Sequence, residues 1–164
     1  MSHDTNATGA ESLVTKDPPR GWPRISSAVF YDDAARAIDW LCAAFGFSVR
    51  IKVEGDGGVI VHCELDLGRD GLLMVGTAGA RKDKSRAWCV SPRSIGGNNT
   101  QSLCVYVDDA DAHCERARAA GAKIVVEPAT HDHGEGYWVD RGYEAEDLEG
   151  HHWWFVERVL TRSG

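Results

Sequence analysis

The sequence predicts an α+β fold made of two tandem β-α-β-β-β modules. The first observation is an internal repeat, because residues 29–34 (VFYDDA) align with residues 105–110 (VYVDDA) at an offset of 76. The second is an apolar stripe at helical spacing after the first copy, and the third is an alternating run at 59–67. Each copy therefore indicates a short strand, a helix and further strands.

Each repeat predicts a helix that begins after a pair of aspartates and ends at a glycine. An aspartate carboxylate accepts free backbone N–H groups at a helix start, and glycine tolerates the left-handed backbone of a helix end, here Gly46 and Gly121. The first helix has one apolar stripe at spacings of four, three and four: Ala34, Ile38, Leu41 and Phe45. The second has a weaker stripe of small residues: Ala110, Cys114, Ala117 and Ala120.

Strand-like segments follow each predicted helix, at 47–53, 59–67 and 72–76 in the first module and at 123–126, 137–145 and 152–158 in the second. The segment 59–67 alternates between apolar and mostly polar residues. We expect its apolar face to pack under the helix: Val59, Val61, Cys63, Leu65 and Leu67. The opposite face is expected to meet solvent or line a pocket: Ile60, His62, Glu64 and Asp66.

These boundaries predict one domain at 23–160 after a polar, disordered tail at 1–22. Within the domain we place module one at 24–78, a connector at 79–100 and module two at 101–159. A connector of this length is either a functional arm or a mobile linker. Its basic residues are interpreted as solvated surface: Arg81, Lys82, Lys84 and Arg86.

The composition limits the kinds of partner and the location that we expect for this protein. A net charge of -7 and a pI near 5.4 argue against nucleic acid, which needs clustered Lys and Arg. No apolar run approaches 18 residues and no secretory signal precedes the domain, so we expect no membrane contact and a cytoplasmic location. Five cysteines without a CxxC pair favour reduced core thiols over disulfides or a zinc site. No nucleotide or nucleophile motif is present, so no cofactor is expected.

Three segments resemble the glyoxalase / bleomycin-resistance / extradiol-dioxygenase superfamily, the vicinal oxygen chelate proteins. They are 32–47 (DDAARAIDWLCAAFGF), 116–122 (RARAAGA) and 143–155 (YEAEDLEGHHWWF), with Leu148 where the family often has proline. The resemblance implies curved mixed sheets around a concave pocket. It also implies homodimers in which halves of both chains build each pocket. The superfamily includes lyases, epimerases, dioxygenases, thiol transferases and drug-binding proteins, so the resemblance leaves the function open.

Metal-using members of this superfamily hold a divalent ion with four His or Glu ligands on the concave faces. Carried onto this chain, those positions fall on Ser26, His62, Ser102 and Trp154, where His62 is found by counting back from Gly68 and Trp154 by counting on from Gly150. Only His62 is a competent ligand, because neutral Ser binds such ions poorly and indole offers no lone pair. We therefore expect no metal. An alternative is a non-standard site that combines His62 with the His131–His133 loop, although exposed loop histidines are the favoured interpretation.

The concave faces supply the candidate ligand-binding residues: Ser26, Phe30, His62, Glu64, Ser102, Tyr106 and Trp154. Trp154 offers a stacking face to a planar or cationic ligand. His62 is the candidate catalytic residue, as an acid/base pair with Glu64, but Glu64 facing solvent at the sheet rim is the simpler interpretation. Arg141 and Tyr143 resemble the family's Arg-x-Tyr pair and lie on one face, where bracing the turn that follows at 147–150 is favoured over binding an anion.

The sequence thus favours a metal-independent small-molecule-binding protein that holds an aromatic or cationic organic ligand in an apolar cavity. The alternative is an enzyme of the same superfamily, either a metal-dependent lyase, epimerase or dioxygenase or one that uses His62 as a base. A third possibility is a dimeric scaffold whose pocket is filled by its own side chains.

Overall fold

A computed structural model describes residues 16–80 and 85–161. Residues 1–15 of the predicted tail and three basic connector residues lie outside the described part: Arg81, Lys82 and Lys84. The predicted β-α-β-β-β order is confirmed in both modules. The first contains β1 (Ser27–Tyr31), α1 (Ala34–Phe45), β2 (Ser48–Glu54), β3 (Ile60–Leu67) and β4 (Gly71–Thr77); the second contains β5 (Ser102–Tyr106), α2 (Ala110–Ala119), β6 (Lys123–Asp132), β7 (Trp138–Glu146) and β8 (His152–Thr161).

Each module forms its own four-stranded mixed sheet. The strand orders are β1-β4-β3-β2 and β5-β8-β7-β6. In each sheet the first strand runs parallel to the last, and the other pairs are antiparallel. No ladder joins the two sheets within the described ranges. The repeat at offset 76 is therefore a repeat of whole modules.

Both helices begin as the aspartate pairs predict. The Asp33 carboxylate accepts the N–H of Arg36, and the Asp109 carboxylate accepts the N–H of Ala112. Gly46 ends α1 with a φ of 82°, a left-handed conformation that glycine adopts without strain.

The helices pack on the inner faces of the two sheets and form one shared core. Phe45 of α1 lies 5.1 Å from the Trp153 ring and 4.7 Å from the Phe155 ring, which belong to the other module. A side chain of each helix also donates hydrogen bonds to backbone carbonyls at the end of the other helix. Trp40 Nε1 of α1 donates to the Ala120 carbonyl after α2. Arg116 of α2 donates to the carbonyls of Ala43 and Cys42 at 2.7 and 3.0 Å.

The turn between β7 and β8 accepts hydrogen bonds from three other parts of the chain: β1, the start of α1 and the connector. The buried Asp147 carboxylate accepts the Tyr31 hydroxyl at 2.6 Å and the Trp153 indole N–H at 3.0 Å. The buried Glu149 carboxylate accepts the backbone N–H groups of Asp32 and Asp33 and the hydroxyl of Ser91 in the connector. The connector is thus held against the body of the protein at Ser91.

Two strand predictions need correction. Ile60 is buried and Val61 is exposed, the reverse of the predicted faces, because the register between β2 and β3 shifts at the Val53–Glu54 step. The strand predicted at 123–126 continues to Asp132 through Pro128. Proline is tolerated there because β6 is an edge strand and its register to β7 shifts between Val126 and Ala129.

The cysteine prediction is also only partly right. All five thiols are free, and Cys63, Cys89 and Cys114 are buried. Cys104, however, is exposed on the outer face of β5, opposite the core. Within the described ranges, no helix has the length and apolar character needed to cross a membrane.

Candidate functional site

The predicted ligand-binding residues lie on the sheet faces that point away from the shared core, which we call the outer faces. Val29 and Tyr31 of β1 are buried, whereas Phe30 between them is only half-buried. The same alternation leaves Tyr106 61% exposed on β5 and Trp154 46% exposed on β8. The outer faces are therefore free to meet a ligand or another chain.

The strand register reveals matching rows on the two outer faces. On module one, Met74 lies between Ala28 and Glu64. On module two, Trp154 lies between Cys104 and Glu144. Since Ala28 and Cys104 are 76 residues apart, Met74 is the counterpart of Trp154, and Glu64 is the counterpart of Glu144.

This pairing corrects the assignment of His62 to the later-strand metal position. His62 lies on β3, whereas Trp154 lies on the strand that runs parallel to the first strand of its module. The equivalent strand of module one is β4, so the corresponding position is Met74. Counting back from Gly68 fails because that glycine lies in the β3–β4 turn and the position lies beyond it.

The residues at the four inherited metal positions do not fit a divalent ion. They are Ser26, Met74, Ser102 and Trp154, a set with no imidazole or carboxylate. Hydroxyl and thioether groups are poor ligands for the metals this fold uses, and indole cannot coordinate. In the part of the chain that the structure describes, no three His, Cys, Asp or Glu side chains cluster as a metal site would require.

On module one, His62 and Glu64 form the predicted pair. His62 Nε2 lies 2.9 Å from Glu64 Oε1, and the imidazole remains partly exposed. Glu64 does not face solvent, because only 4% of the residue is exposed. Its second oxygen lies 3.6 Å from Arg50 Nε, and the Arg50 guanidinium in turn lies 4.5 Å from the centre of the Trp22 ring. Trp22 belongs to the segment predicted as a tail.

The connector reaches the same face. The Trp88 ring meets the Phe30 ring edge-on at 6.2 Å, yet 73% of Trp88 is exposed. The Phe30 ring lies over Gly76, where an added Cβ would stand 3.4 Å from Phe30 Cε1. The described part of the connector is therefore an arm whose aromatic side chain borders module one's outer face.

On module two, Trp154 forms the floor of a shallow depression of about 530 Å³. Its other walls include Ser102, Glu144, Glu146 and His152, together with the end of the connector around Gln101. His152 Nε2 lies 2.9 Å from Glu144 Oε2. Sequence reasoning did not select Glu144, although its place between the buried residues Tyr143 and Ala145 on an alternating strand assigns it to the outer face.

Tyr106 lies on β5, and its side chain is partly engaged by Arg158. Its hydroxyl accepts a hydrogen bond from Arg158, whose guanidinium lies 5.3 Å from the Tyr106 ring and 4.8 Å from the Trp138 ring. Arg158 also pairs with Asp140. This cluster holds the Tyr106 and Trp138 rings against the Arg158 guanidinium.

A larger cleft of about 870 Å³ lies between the modules, beside β5 and the β3–β4 turn. Of the predicted residues, only Ser102 and Tyr106 border it. Its inner wall includes His113, whose two ring nitrogens are engaged by the Tyr143 hydroxyl and the Phe45 carbonyl. Burial lowers the pKa of His113, and the hydrogen bonds at both ring nitrogens make the side chain a structural bridge between α2, β7 and the end of α1.

Arg141 and Tyr143 share one face, as predicted, but their side chains contact α2 instead of bracing the turn at 147–150. Arg141 forms a two-point ion pair with Asp111 of α2, and Tyr143 contacts His113 of the same helix. The remaining histidines have structural partners or lie apart. His151 contacts the Phe30 carbonyl, and His133 lies 3.7 Å from Asp140, in the other module from His62.

The seven predicted residues therefore divide into two groups. Ser26, Phe30, His62 and Glu64 belong to module one, and Ser102, Tyr106 and Trp154 belong to module two. Within the described ranges, no hydrogen bond, ion pair or ring contact links a side chain of one group to a side chain of the other. One chain offers two separate outer faces.

These features, two βαβββ modules with inherited ligand positions on their outer faces, define a vicinal-oxygen-chelate protein. Residues 24–155 match the Glyoxalase/Bleomycin resistance protein/Dioxygenase superfamily. The chain belongs to this superfamily.

Individual relatives agree with that assignment. An uncharacterized protein of Mycobacterium bovis is 31% identical over 135 residues, which cover 80% of each chain. The crystal structure of TioX from Micromonospora is 34% identical, with a TM-score of 0.62 over 82% of this chain and 98% of that one. A glyoxalase/bleomycin resistance protein/dioxygenase from Nocardioides shares the fold at 14% identity, with a TM-score of 0.58 over 93% of each chain.

Proposed function

We propose that this protein is a metal-independent small-molecule-binding protein of the glyoxalase/bleomycin-resistance type. Its ligand is an aromatic or cationic organic molecule that stacks on Trp154. The observation that carries the proposal is the half-exposed indole at an inherited metal-ligand position, beside three other positions that hold no imidazole or carboxylate. An indole face on an open surface binds flat or cationic molecules well.

We also propose that a second copy of the chain completes the site. Each outer face alone is open, and β1 and β5 are edge strands whose outer sides are unpaired within the described ranges. Unpaired edges and half-exposed aromatic residues are features that oligomers cover. Pairing module one of one copy with module two of the other would bring the two groups of predicted residues around one cavity. The free cysteines favour a cytoplasmic location.

Ligand binding is tested by titrating the purified full-length protein with a panel of planar aromatic compounds by calorimetry. Wild type is expected to bind at least one compound, and Trp154→Ala to weaken that binding tenfold or more without loss of thermal stability. Tyr137→Ala, which removes an exposed aromatic ring elsewhere, is the matched control and should bind normally. Equal binding by wild type and Trp154→Ala would contradict the proposal.

The oligomeric state is tested by sedimentation equilibrium. We expect twice the 17.9 kDa mass of the chain. A monomer that still binds the ligand saturably would contradict the shared cavity while leaving the binding function intact.

The alternative is an enzyme in which His62 acts as a base. It is supported by the 2.9 Å contact between His62 and Glu64, which holds one ring nitrogen and leaves the partly exposed imidazole reachable. Turnover of a bound compound that His62→Gln abolishes without weakening binding would favour this alternative. Unchanged ligand recovered after prolonged incubation would favour binding alone.

A further inference from the structure

The two modules differ in the ion-pair partners of their equivalent glutamates, Glu64 and Glu144. On module one, β2 bulges between Val49, which pairs with Leu65, and Ile51, which pairs with Glu64. The residue inside this bulge is Arg50, which lies 3.6 Å from Glu64. Module one therefore neutralises its buried glutamate with a cation of its own.

Module two has the same bulge without the cation. β6 bulges between Ile124, which pairs with Ala145, and Val126, which pairs with Glu144. The residue in this bulge is Val125, an apolar side chain where module one has Arg50. Within the described ranges, the only hydrogen-bond or ion-pair partner of the Glu144 carboxylate is the His152 imidazole.

The neighbouring carboxylates on this face do have permanent cations. Glu146 pairs with Lys123 at 2.9 Å, and Asp140 pairs with Arg158. Glu144 is thus the carboxylate that lacks a Lys or Arg partner, and it lies directly across from Trp154 in the register of β7 and β8. One third of its side chain is exposed, so a ligand can reach it.

Module one also shows how such a cation is held. The Arg50 guanidinium lies between the Glu64 carboxylate and the Trp22 ring, at 3.6 Å from the oxygen and 4.5 Å from the ring centre. Module two presents a carboxylate and an indole side by side, Glu144 and Trp154, without the guanidinium. A planar cation delocalised over nitrogen atoms suits both partners, because its N–H groups donate to a carboxylate in its plane and its face stacks on an aromatic ring.

From this internal comparison we infer that the ligand of module two is a flat organic cation of the amidinium or guanidinium class. Its charge lies against Glu144 and its flat body stacks on Trp154. The inference rests on the proposed function and narrows it from aromatic or cationic ligands to ligands that are both. In this inference Glu144 is the residue that selects for a positive charge on the ligand.

The test uses three naphthalene compounds of nearly equal shape: 2-naphthamidine, which is cationic, 2-naphthamide, which is neutral, and 2-naphthoate, which is anionic. Dissociation constants are measured by calorimetry at pH 8 with the full chain. Wild type is expected to bind the amidine about tenfold more tightly than the amide, the size of one charge-assisted hydrogen bond. The naphthoate should bind most weakly.

Two variants should abolish the preference for charge. Glu144→Gln removes the carboxylate, and Val125→Arg supplies the cation that module one has at the equivalent bulge. Both are expected to bring the amidine and amide constants within twofold of each other. Glu146→Gln is the matched control, because that carboxylate already has Lys123, and it should keep the tenfold preference. Trp154→Ala should weaken both compounds by a similar factor.

The outcomes separate the two proposals. Binding of all three compounds that depends on Trp154 but shows no preference for the amidine overturns the cation assignment and leaves the aromatic site standing. A preference that survives both Glu144→Gln and Val125→Arg overturns it as well. Failure of every compound to bind overturns both. Circular dichroism of each variant verifies folding, and Val125→Arg adds a charge without removing any contact of Glu144, so the test does not depend on one substitution.

Discussion

Replacing Glu149 by glutamine should destabilise the fold through the contacts that join the connector, β1 and the start of α1. One carboxylate oxygen accepts the Asp32 N–H at 2.7 Å and the Ser91 hydroxyl, and the other accepts the Asp33 N–H at 3.0 Å. A glutamine keeps one acceptor oxygen and turns an NH₂ group toward the remaining donors. The variant therefore loses at least one charge-assisted hydrogen bond and the negative charge at the helix start, about 2–3 kcal/mol together.

The same contacts predict a pH dependence. Burial alone would raise the pKa of Glu149, but the hydrogen bonds from Ser91, Asp33 and Asp32 outweigh it and lower the pKa below its ordinary value. Because the folded protein holds the charged form more strongly than the unfolded chain does, the stabilisation is present above the ordinary carboxyl pKa. It is lost as pH falls toward the lowered value. Glu149→Gln cannot titrate and should lack this part of the acid dependence.

Urea unfolding at equal protein concentration, at pH 7 and at intervals down to pH 3, measures both effects. A loss of 2–3 kcal/mol corresponds to a midpoint shift of about 1 M urea for a slope near 2 kcal/mol/M. Glu115→Gln is the matched control, since Glu115 is exposed and its one ion pair among the described residues is with Arg118. A shift at pH 7 no larger than that of the control, or an unchanged acid dependence, would refute the reasoning.

Three further substitutions test the contacts between modules by the same urea assay. Tyr31→Phe removes the hydroxyl that Asp147 accepts and should cost about 2 kcal/mol at pH 7. Burial and then Asp147 raise the pKa of Tyr31, so wild-type stability should fall above pH 10 and fall less steeply in Tyr31→Phe; identical alkaline curves would contradict this. Arg116→Ala should cost about 1–2 kcal/mol and Trp40→Phe about 1 kcal/mol, because each removes donors to the other helix's end; losses below 0.3 kcal/mol in both would exclude that role.

The repeat at offset 76 predicted most of the fold because it records what the two modules share. The aspartate starts, the β-α-β-β-β order of elements and the equivalence of Ser26 with Ser102 all follow from it. The repeat carries no information where the modules differ in hairpin length. The last-strand position of module one was therefore sought by counting back from Gly68, which selected His62 on β3, whereas Met74 lies after that turn on β4.

The candidate site was less predictable, because its chemistry depends on register between strands. Alternation assigned Glu64 to a polar face and hence to solvent, but Arg50 reaches it from a bulge that no apolar pattern reveals. The role of Glu144 becomes visible only beside Trp154. The contact of Trp88 with Phe30 could not be predicted from the sequence, because it depends on where the connector is held at Ser91.

In each sheet the inner face carries contacts that hold the fold, and the outer face carries the candidate site. The site can therefore change without loss of the fold. The contacts that join the modules come from the inner faces, the helix ends and the β7–β8 turn, where Asp147 and Glu149 are buried. Trp154 and Glu144 lie between buried neighbours on their strands but point away from them. Substitutions at these two positions should therefore alter binding while unfolding free energies stay within about 0.5 kcal/mol of wild type. Such independence permits the side chains at the inherited metal positions to change while the scaffold remains unchanged.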